Sequence, residues 1–152
     1  MPNRMVPMNL KHKPIYAIND YDKIDGDYKN NTDVYGLSLG KAQWSSEFIP
    51  SIKVWRKVET KNNIKRWSRQ SEETTITRAV DMAMLSVKVM GGVCKSKTIS
   101  NYNTPFGQKI EIEQTAHYCT YEKELKDYLC SKQADIETHL KMLKDTLDEY
   151  FK

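Results

Sequence analysis

The chain has 152 residues, of which 39% are apolar and 29% are charged, and its formal net charge is +4. These values are typical of one soluble globular domain that is large enough to bury a core. No apolar run approaches the roughly 20 residues that a membrane helix needs. The charge is too small for the dense basic stripe of a duplex-DNA-binding protein. The N-terminal residues lack the apolar segment of a signal peptide, and we therefore expect a cytoplasmic protein.

The sequence contains no recognisable catalytic or metal-binding motif. The number of cysteines is odd and none has CxxC spacing, which favours buried, reduced thiols. The three histidines lie far apart in the sequence, which favours exposure to solvent. We therefore predict no catalytic residue, no metal and no cofactor. The residues concerned are Cys94, Cys119, Cys130, His12, His117 and His139.

Residues 14–73 are predicted to form the sheet part of the fold. Residues 14–18 suit an edge strand because Pro14 opens it. Residues 36–44 read as a strand with a glycine kink, and residues 52–58 are the clearest strand of the chain. A turn at 61–63 and a strand at 64–67 complete a hairpin, which would bring two tryptophans together across the ladder. In residues 52–58 the apolar side chains Ile52, Val54 and Val58 alternate with Lys53, Trp55 and Lys57.

Two helical regions follow the sheet in the sequence. A central helix is predicted over 74–91, with Thr74 or Thr75 as its cap and Gly91-Gly92 at its end. A short strand is possible at 109–113. Residues 115–151 are helical in pattern, with apolar residues at near-heptad spacing that allow pairing with a second subunit. The prediction is one α+β domain over 1–152, in which a small, mainly antiparallel sheet of three to five strands packs against the central helix.

Cations and tryptophans are concentrated between residues 41 and 69, which carry eight Lys and Arg against two acidic residues. All three tryptophans lie in the same stretch. Aromatic planes interleaved with cations suit a flat, anionic ligand such as a nucleotide. Arg69 either contributes to an anion site at the helix N-terminus or only pairs with Glu72 or Glu73. The predicted ligand-binding residues are Lys41, Gln43, Trp44, Lys53, Trp55, Arg56, Arg66, Trp67, Ser68, Arg69 and Gln70.

Several sequence blocks of this region form a recognisable set: GLSLGKAQW at 36–44, KVWR at 53–56 and RWSRQSEE at 66–73, with LKHKP upstream at 10–14. Together they resemble a small bacterial and phage domain family of unknown function over residues 8–90. In size and charge distribution the chain is also similar to phage proteins that sequester nucleotide second messengers of bacterial defence systems. That analogy implies binding without turnover, a homo-oligomer, and a location in the host cytoplasm if the chain is phage-encoded.

Three functions are compatible with these observations. The leading hypothesis is non-enzymatic binding of a small anionic ligand, a nucleotide or cyclic nucleotide, in which a tryptophan stacks the base and cations neutralise phosphate. The second is a nucleotide-processing hydrolase or phosphodiesterase, with Glu72 or Glu73 as general base and Arg69 stabilising the developing charge. The third is a protein–protein interaction module that uses its C-terminal helices.

Overall fold

The computed structural model describes residues 5–69, 71–99, 102–103 and 109–152. The chain divides into two compact units, residues 1–80 and 81–152. The first unit contains a five-stranded sheet in which every strand pair is antiparallel, and the second is mainly helical. The α+β prediction is therefore confirmed.

The sheet is built from consecutive strands: β1 (Lys13–Asn19), β2 (Val34–Lys41), β3 (Pro50–Glu59), β4 (Lys65–Trp67) and β5 (Glu73–Thr75). The order β1-β2-β3-β4 places β1 at an edge, as its proline predicts. The predicted hairpin is also confirmed, because β3 and β4 are antiparallel and pair Lys57 with Trp67. Two short 3₁₀ turns, Tyr21–Lys23 and Gly26–Tyr28, lie in the connection between β1 and β2.

One edge of β3 is shared end to end by two short strands. β4 pairs with its C-terminal part and β5 with its N-terminal part, where Lys53 stands opposite Glu73. Between the two pairings, the connection from β4 to β5 contains two more residues than the stretch of β3 that lies opposite it. The described residues of this connection, 68–69 and 71–72, therefore form a bulge in the ladder, which is held at its ends by the bonds Ser68 N–H to Arg56 C=O and Val54 N–H to Glu72 C=O.

The buried face of β3 is its polar face. Ser51, Lys53, Trp55 and Lys57 are buried, whereas the alternating residues are half-buried or exposed. The alternation along the strand was predicted correctly, but it did not indicate which face is buried. The aliphatic stems of lysine bury well, and the ammonium groups find partners: Lys53 lies over the Trp55 ring at 4.9 Å from its centroid.

The first helix, α1 (Ile76–Lys95), begins directly after β5. The Thr75 hydroxyl accepts the Arg78 N–H at 3.3 Å, which confirms one of the two predicted caps. The prediction that Gly91-Gly92 ends the helix is wrong, since the helix continues to Lys95. The glycine at 92 serves another purpose: a Cβ there would overlap the side chain of Ile99, so glycine lets the following segment lie against the helix.

In the second unit, the two-residue strands β6 (Tyr102–Asn103) and β7 (Lys109–Ile110) pair with each other, which places a strand within the predicted 109–113 region. The last element is α2 (Tyr118–Tyr150), an unbroken helix of 33 residues. Lys95 at the end of α1 pairs with Glu137 of α2 at 3.1 Å. Neither helix has a stretch apolar enough, over the length required, to cross a lipid bilayer.

Much of the apolar surface of α2 is solvent-exposed. Leu143 is 39% exposed and Leu147 is 47% exposed, so part of the near-heptad stripe is available for contact. Pairing of this stripe with a second subunit stays a prediction.

Two of the three cysteines differ from expectation, because Cys119 and Cys130 are exposed and only Cys94 is half-buried. All three thiols are free.

Gly40→Ala tests the close approach of β1 and β2. A Cβ at Gly40 would overlap the Lys13 carbonyl oxygen and lie 2.8 Å from the Pro14 Cα, and backbone atoms cannot rotate away. We expect a loss of about 1–3 kcal/mol in the free energy of unfolding, measured by urea denaturation. Gly91→Ala is the control, since its Cβ would meet only the Lys97 side chain at 3.8 Å or more. A Gly40→Ala variant as stable as the wild type would contradict this account of the strand contact.

Candidate functional site

A cavity of about 690 Å³ opens on the buried face of the sheet in the first unit. The volume falls within the range of small-molecule sites. Three segments supply its walls: the arm before β1, the loop after β2, and the bulged segment beyond β4, while β3 supplies part of the floor. Its lining residues are Asn9, Leu10, Lys11, His12, Gln43, Trp44, Lys53, Trp55, Ser68 and Arg69.

Six of the eleven predicted ligand-binding residues line this cavity, and they come from parts of the chain that are distant in sequence. The loop after β2 contributes Gln43 and Trp44, and the half-exposed Trp44 indole is 47% exposed. β3 contributes Lys53 and Trp55, and the bulge contributes Ser68 and Arg69. The structure therefore brings the Trp44 indole to the same cavity as two of the predicted cations, whereas the Trp55 indole is fully buried and offers no face on which a base can stack.

Four other predicted residues do not line the cavity. The Lys41 ammonium group donates to the Ser45 carbonyl at 3.0 Å, and Arg66 is exposed on β4. Arg56 is held by two carboxylates, at 2.6 Å from Asp33 and 2.6 Å from Glu72. The fourth predicted residue that does not line the cavity is Trp67. Gln70 lies outside the described residues.

Trp67 has a different environment from the one predicted. Its ring packs edge-on against Trp55, with centroids 6.2 Å apart, as expected for neighbours across the ladder. The Lys57 ammonium group lies 4.7 Å from the Trp67 centroid and 4.8 Å from that of Tyr35. Because a cation already covers this ring, Trp67 stabilises a buried lysine rather than the cavity.

The arm residues 9–12 were not among the predicted site residues, although all four line the cavity. His12 in particular was expected to be exposed and is only 1% exposed. It packs edge-on against Trp55 at 5.7 Å between centroids. The one sequence signal for these residues is the LKHKP block, which contains His12 and belongs to the resemblance but carries no recognisable chemistry.

Beneath the cavity, a row of polar residues crosses three strands. Ser38 on β2 stands opposite Lys53 on β3, and Lys53 stands opposite Glu73 on β5. One carboxylate oxygen of Glu73 accepts three hydrogen bonds, from His12 Nδ1 (2.9 Å), the Ser51 hydroxyl (2.7 Å) and the backbone N–H of Gln43 (3.0 Å). The other oxygen, Oε2, lies 3.9 Å from the Lys53 ammonium group. Glu73 thereby joins the arm, the loop after β2, and β3.

The hydrogen-bond chain continues on the other side of His12. Its Nε2 is 3.0 Å from the Ser38 hydroxyl oxygen, and that oxygen also accepts the Trp55 indole N–H at 2.8 Å. An imidazole with its proton on Nδ1 fits these contacts, because Nδ1–H donates to Glu73, with the Ser51 hydroxyl oxygen 3.1 Å away as a second acceptor, and the Ser38 hydroxyl donates to Nε2. This network of hydrogen bonds fixes the orientation of His12 and Trp55, which both border the cavity.

Burial and pairing shift the pKa of each of the two buried charged groups, Glu73 and Lys53, in opposite directions. Burial raises the pKa of Glu73, but hydrogen bonds from Ser51, His12 and the Gln43 backbone outweigh it, so the net pKa is below the ordinary value. Burial lowers the pKa of Lys53, and the carboxylate of Glu73 partly opposes that effect. The side chains of Lys53 and Glu73 are only 4% and 3% exposed. Removal of either charge therefore leaves the other without its nearest counter-charge.

The proposed alternative pairing of Arg69 does not occur. Glu72 binds Arg56 and Glu73 binds His12 and Ser51, so neither carboxylate forms an ion pair with Arg69 within the described residues. Arg69 is exposed and faces the cavity. Among those residues, no group of three or more His, Cys, Asp or Glu side chains is arranged to hold a metal ion.

A family model, "Family of unknown function (DUF6530)", matches residues 4–152. The chain belongs to this family. The match covers nearly all of the chain, so DUF6530 includes α2 as well as the sheet whose sequence blocks carried the resemblance. A search of curated proteins and a search of solved structures each gave no match.

Glu73→Gln tests whether the carboxylate compensates Lys53. We expect a loss of about 3 kcal/mol in unfolding free energy at pH 7, at the low end of the cost of breaking a buried ion pair, because Lys53 also borders the cavity. Since the folded-state pKa of Glu73 is lowered, its contribution is present above the unfolded-state pKa, about 4.3, and is lost as the pH falls through the folded-state pKa. The difference from wild type, measured by urea denaturation, therefore shrinks in acid.

Glu72→Gln is the matched control for this measurement. Its side chain is 60% exposed and its pair with Arg56 is at the surface, so we expect a change within about 1 kcal/mol. The double variant Lys53→Met/Glu73→Gln removes both buried charges and should recover part of the lost stability. Equal effects of Glu73→Gln and Glu72→Gln would show that burial of the pair is not what stabilises this part of the sheet.

Proposed function

We propose that this protein binds a small anionic ligand, a nucleotide or cyclic nucleotide, in the cavity above β3. The observation that carries the proposal is the composition of the lining. Lys11, Lys53 and Arg69 border the cavity together with the accessible indole of Trp44, and no acidic side chain is among the described lining residues. An anion with a flat ring system matches such a surface, because indoles stack bases and cations neutralise phosphate.

The polar lining residues add hydrogen-bonding capacity without charge. Asn9 and Gln43 each present an amide that donates and accepts, and Ser68 presents a hydroxyl. A base edge or a ribose requires donors and acceptors of this kind. One stacked base, worth roughly 1–3 kcal/mol, with two charge-assisted contacts, at roughly 1.5–3 kcal/mol each, is consistent with binding in the micromolar range or tighter.

Binding without turnover is the form of this function that we favour. The two candidate general bases are both engaged elsewhere: Glu72 is paired with Arg56, and Glu73 accepts three hydrogen bonds beneath the cavity. Neither is among the described residues that line the cavity. Sequestration of a nucleotide, as in the phage proteins to which the chain is similar in size and charge, is the biological form of this proposal.

Titration with nucleoside monophosphates and cyclic nucleotides by isothermal calorimetry tests the proposal. We expect a dissociation constant in the micromolar range or below for at least one of them. Trp44→Ala should weaken binding by about 5- to 150-fold, the equivalent of one stacked base. Arg69→Ala should weaken binding of the same ligand by about tenfold or more, because it removes a charge-assisted contact.

Arg66→Ala is the control for charge. It removes a cation from β4 that is exposed and does not line the cavity, and we expect its dissociation constant to stay within about twofold of wild type. Chromatography of the ligand after prolonged incubation distinguishes binding from hydrolysis, and an unchanged ligand is the expected result. Equal losses for Arg66→Ala and Arg69→Ala would indicate attraction by net charge and count against a site in the cavity.

A further inference from the structure

The cavity has a buried floor and an exposed rim. On the floor, Lys53 is 3% exposed, His12 is 1% exposed and Trp55 is fully buried. On the rim, Lys11 and Arg69 are exposed. Trp44, which is 47% exposed, belongs with these exposed residues. A ligand that fills the cavity therefore meets one cation in a desolvated environment and two cations in a solvated one.

The Lys53–Glu73 ion pair contributes no net charge to the floor of the cavity. The Lys53 ammonium group faces Glu73 Oε2 at 3.9 Å, and both side chains are more than nine-tenths buried. A phosphate placed against Lys53 would approach the Glu73 carboxylate in a medium that screens repulsion poorly. A neutral hydrogen-bond acceptor avoids that cost, because it accepts from Lys53 without adding charge.

The rim has the opposite character. Neither Lys11 nor Arg69 forms an ion pair with any described residue, and both are in contact with solvent. A guanidinium group and an ammonium group that are not already paired can neutralise phosphate while its remaining oxygens stay hydrated. Net positive charge in the lining is thus concentrated at the mouth of the cavity.

We infer that the nucleoside end of the ligand enters first and that its phosphate remains at the rim between Lys11 and Arg69. This inference rests on the proposed function and specifies its ligand class. A base stacked on Trp44 presents an edge to the floor, where Lys53 donates to one of the in-plane acceptors that every base carries. The far side of the phosphate faces solvent, so nucleoside phosphodiesters bind as well as monoesters.

The inference assigns Lys53 and the rim cations to different parts of the ligand, and this difference is measurable. Isothermal calorimetry is performed with a nucleoside, its 5′-monophosphate, the methyl ester of that monophosphate, and inorganic phosphate. For the wild type we expect the phosphate to increase affinity at least tenfold over the nucleoside, and the methyl ester to bind within about threefold of the monophosphate. Inorganic phosphate at millimolar concentration should not compete with the nucleoside.

The double variant Lys11→Ala/Arg69→Ala should abolish the gain from phosphate and leave nucleoside affinity within about twofold of wild type. Both side chains are exposed, so this variant is expected to fold. Lys53→Met should weaken nucleoside and monophosphate binding by the same factor. Because Lys53→Met leaves Glu73 without its counter-charge, Lys53→Met/Glu73→Gln is measured in parallel, with circular dichroism to verify folding.

The opposite pattern would overturn the inference. If phosphate still increases affinity in the rim variant but not in Lys53→Met/Glu73→Gln, and if the methyl ester is rejected, then the phosphate occupies the floor. In that case the protein still binds nucleotides and the proposed function stands. If the wild type binds neither nucleosides nor nucleotides, the proposed function and the inference both fail.

Discussion

The Glu73 carboxylate is the group on which the organisation of the sheet depends. It lies in a strand of only three residues, yet it receives bonds from the arm, from β3 and from the backbone after β2. A buried carboxylate is costly unless it is compensated, and these contacts satisfy Oε1, whereas Oε2 has no hydrogen-bond partner among the described residues and is compensated only by the Lys53 charge 3.9 Å away. The requirement to satisfy this charge fixes where three separate segments of the chain lie.

Those same contacts define the cavity. His12 is held between Glu73 and Ser38, and Trp55 is held by its indole bond to Ser38, so two residues of the floor are oriented before any ligand arrives. Pre-organised groups lose little conformational freedom on binding, which favours affinity in a small site. The exposed residues of the rim lack such support, and the site therefore combines a rigid interior with an adaptable mouth.

The sequence predicted the strands well because their signals are local. Alternation identified β3, a proline placed β1 at an edge, and a threonine capped α1. It did not predict which face of β3 is buried, since Lys53 and Lys57 are accommodated only through Glu73 and the rings of Tyr35 and Trp67. Such compensation depends on pairing between distant segments, which periodicity within one strand does not report.

The candidate site was predictable to the extent that it lies in one basic, aromatic stretch. Six of its lining residues come from there, whereas the arm that closes it lies about thirty residues earlier in the sequence and has no motif of its own. His12 was misjudged for the same reason: an isolated histidine has no local signal for burial, and its partners Ser38 and Glu73 are 26 and 61 residues away.

The bulge at 68–72 has a consequence for changes in the length of the chain. Its two surplus residues are anchored at both ends but are not required by the ladder, so the segment can gain or lose length while the strand register on either side is preserved. The same segment carries Arg69 to the cavity mouth. An insertion or deletion at this point would therefore change the surface beside Arg69 while the strand register stays the same.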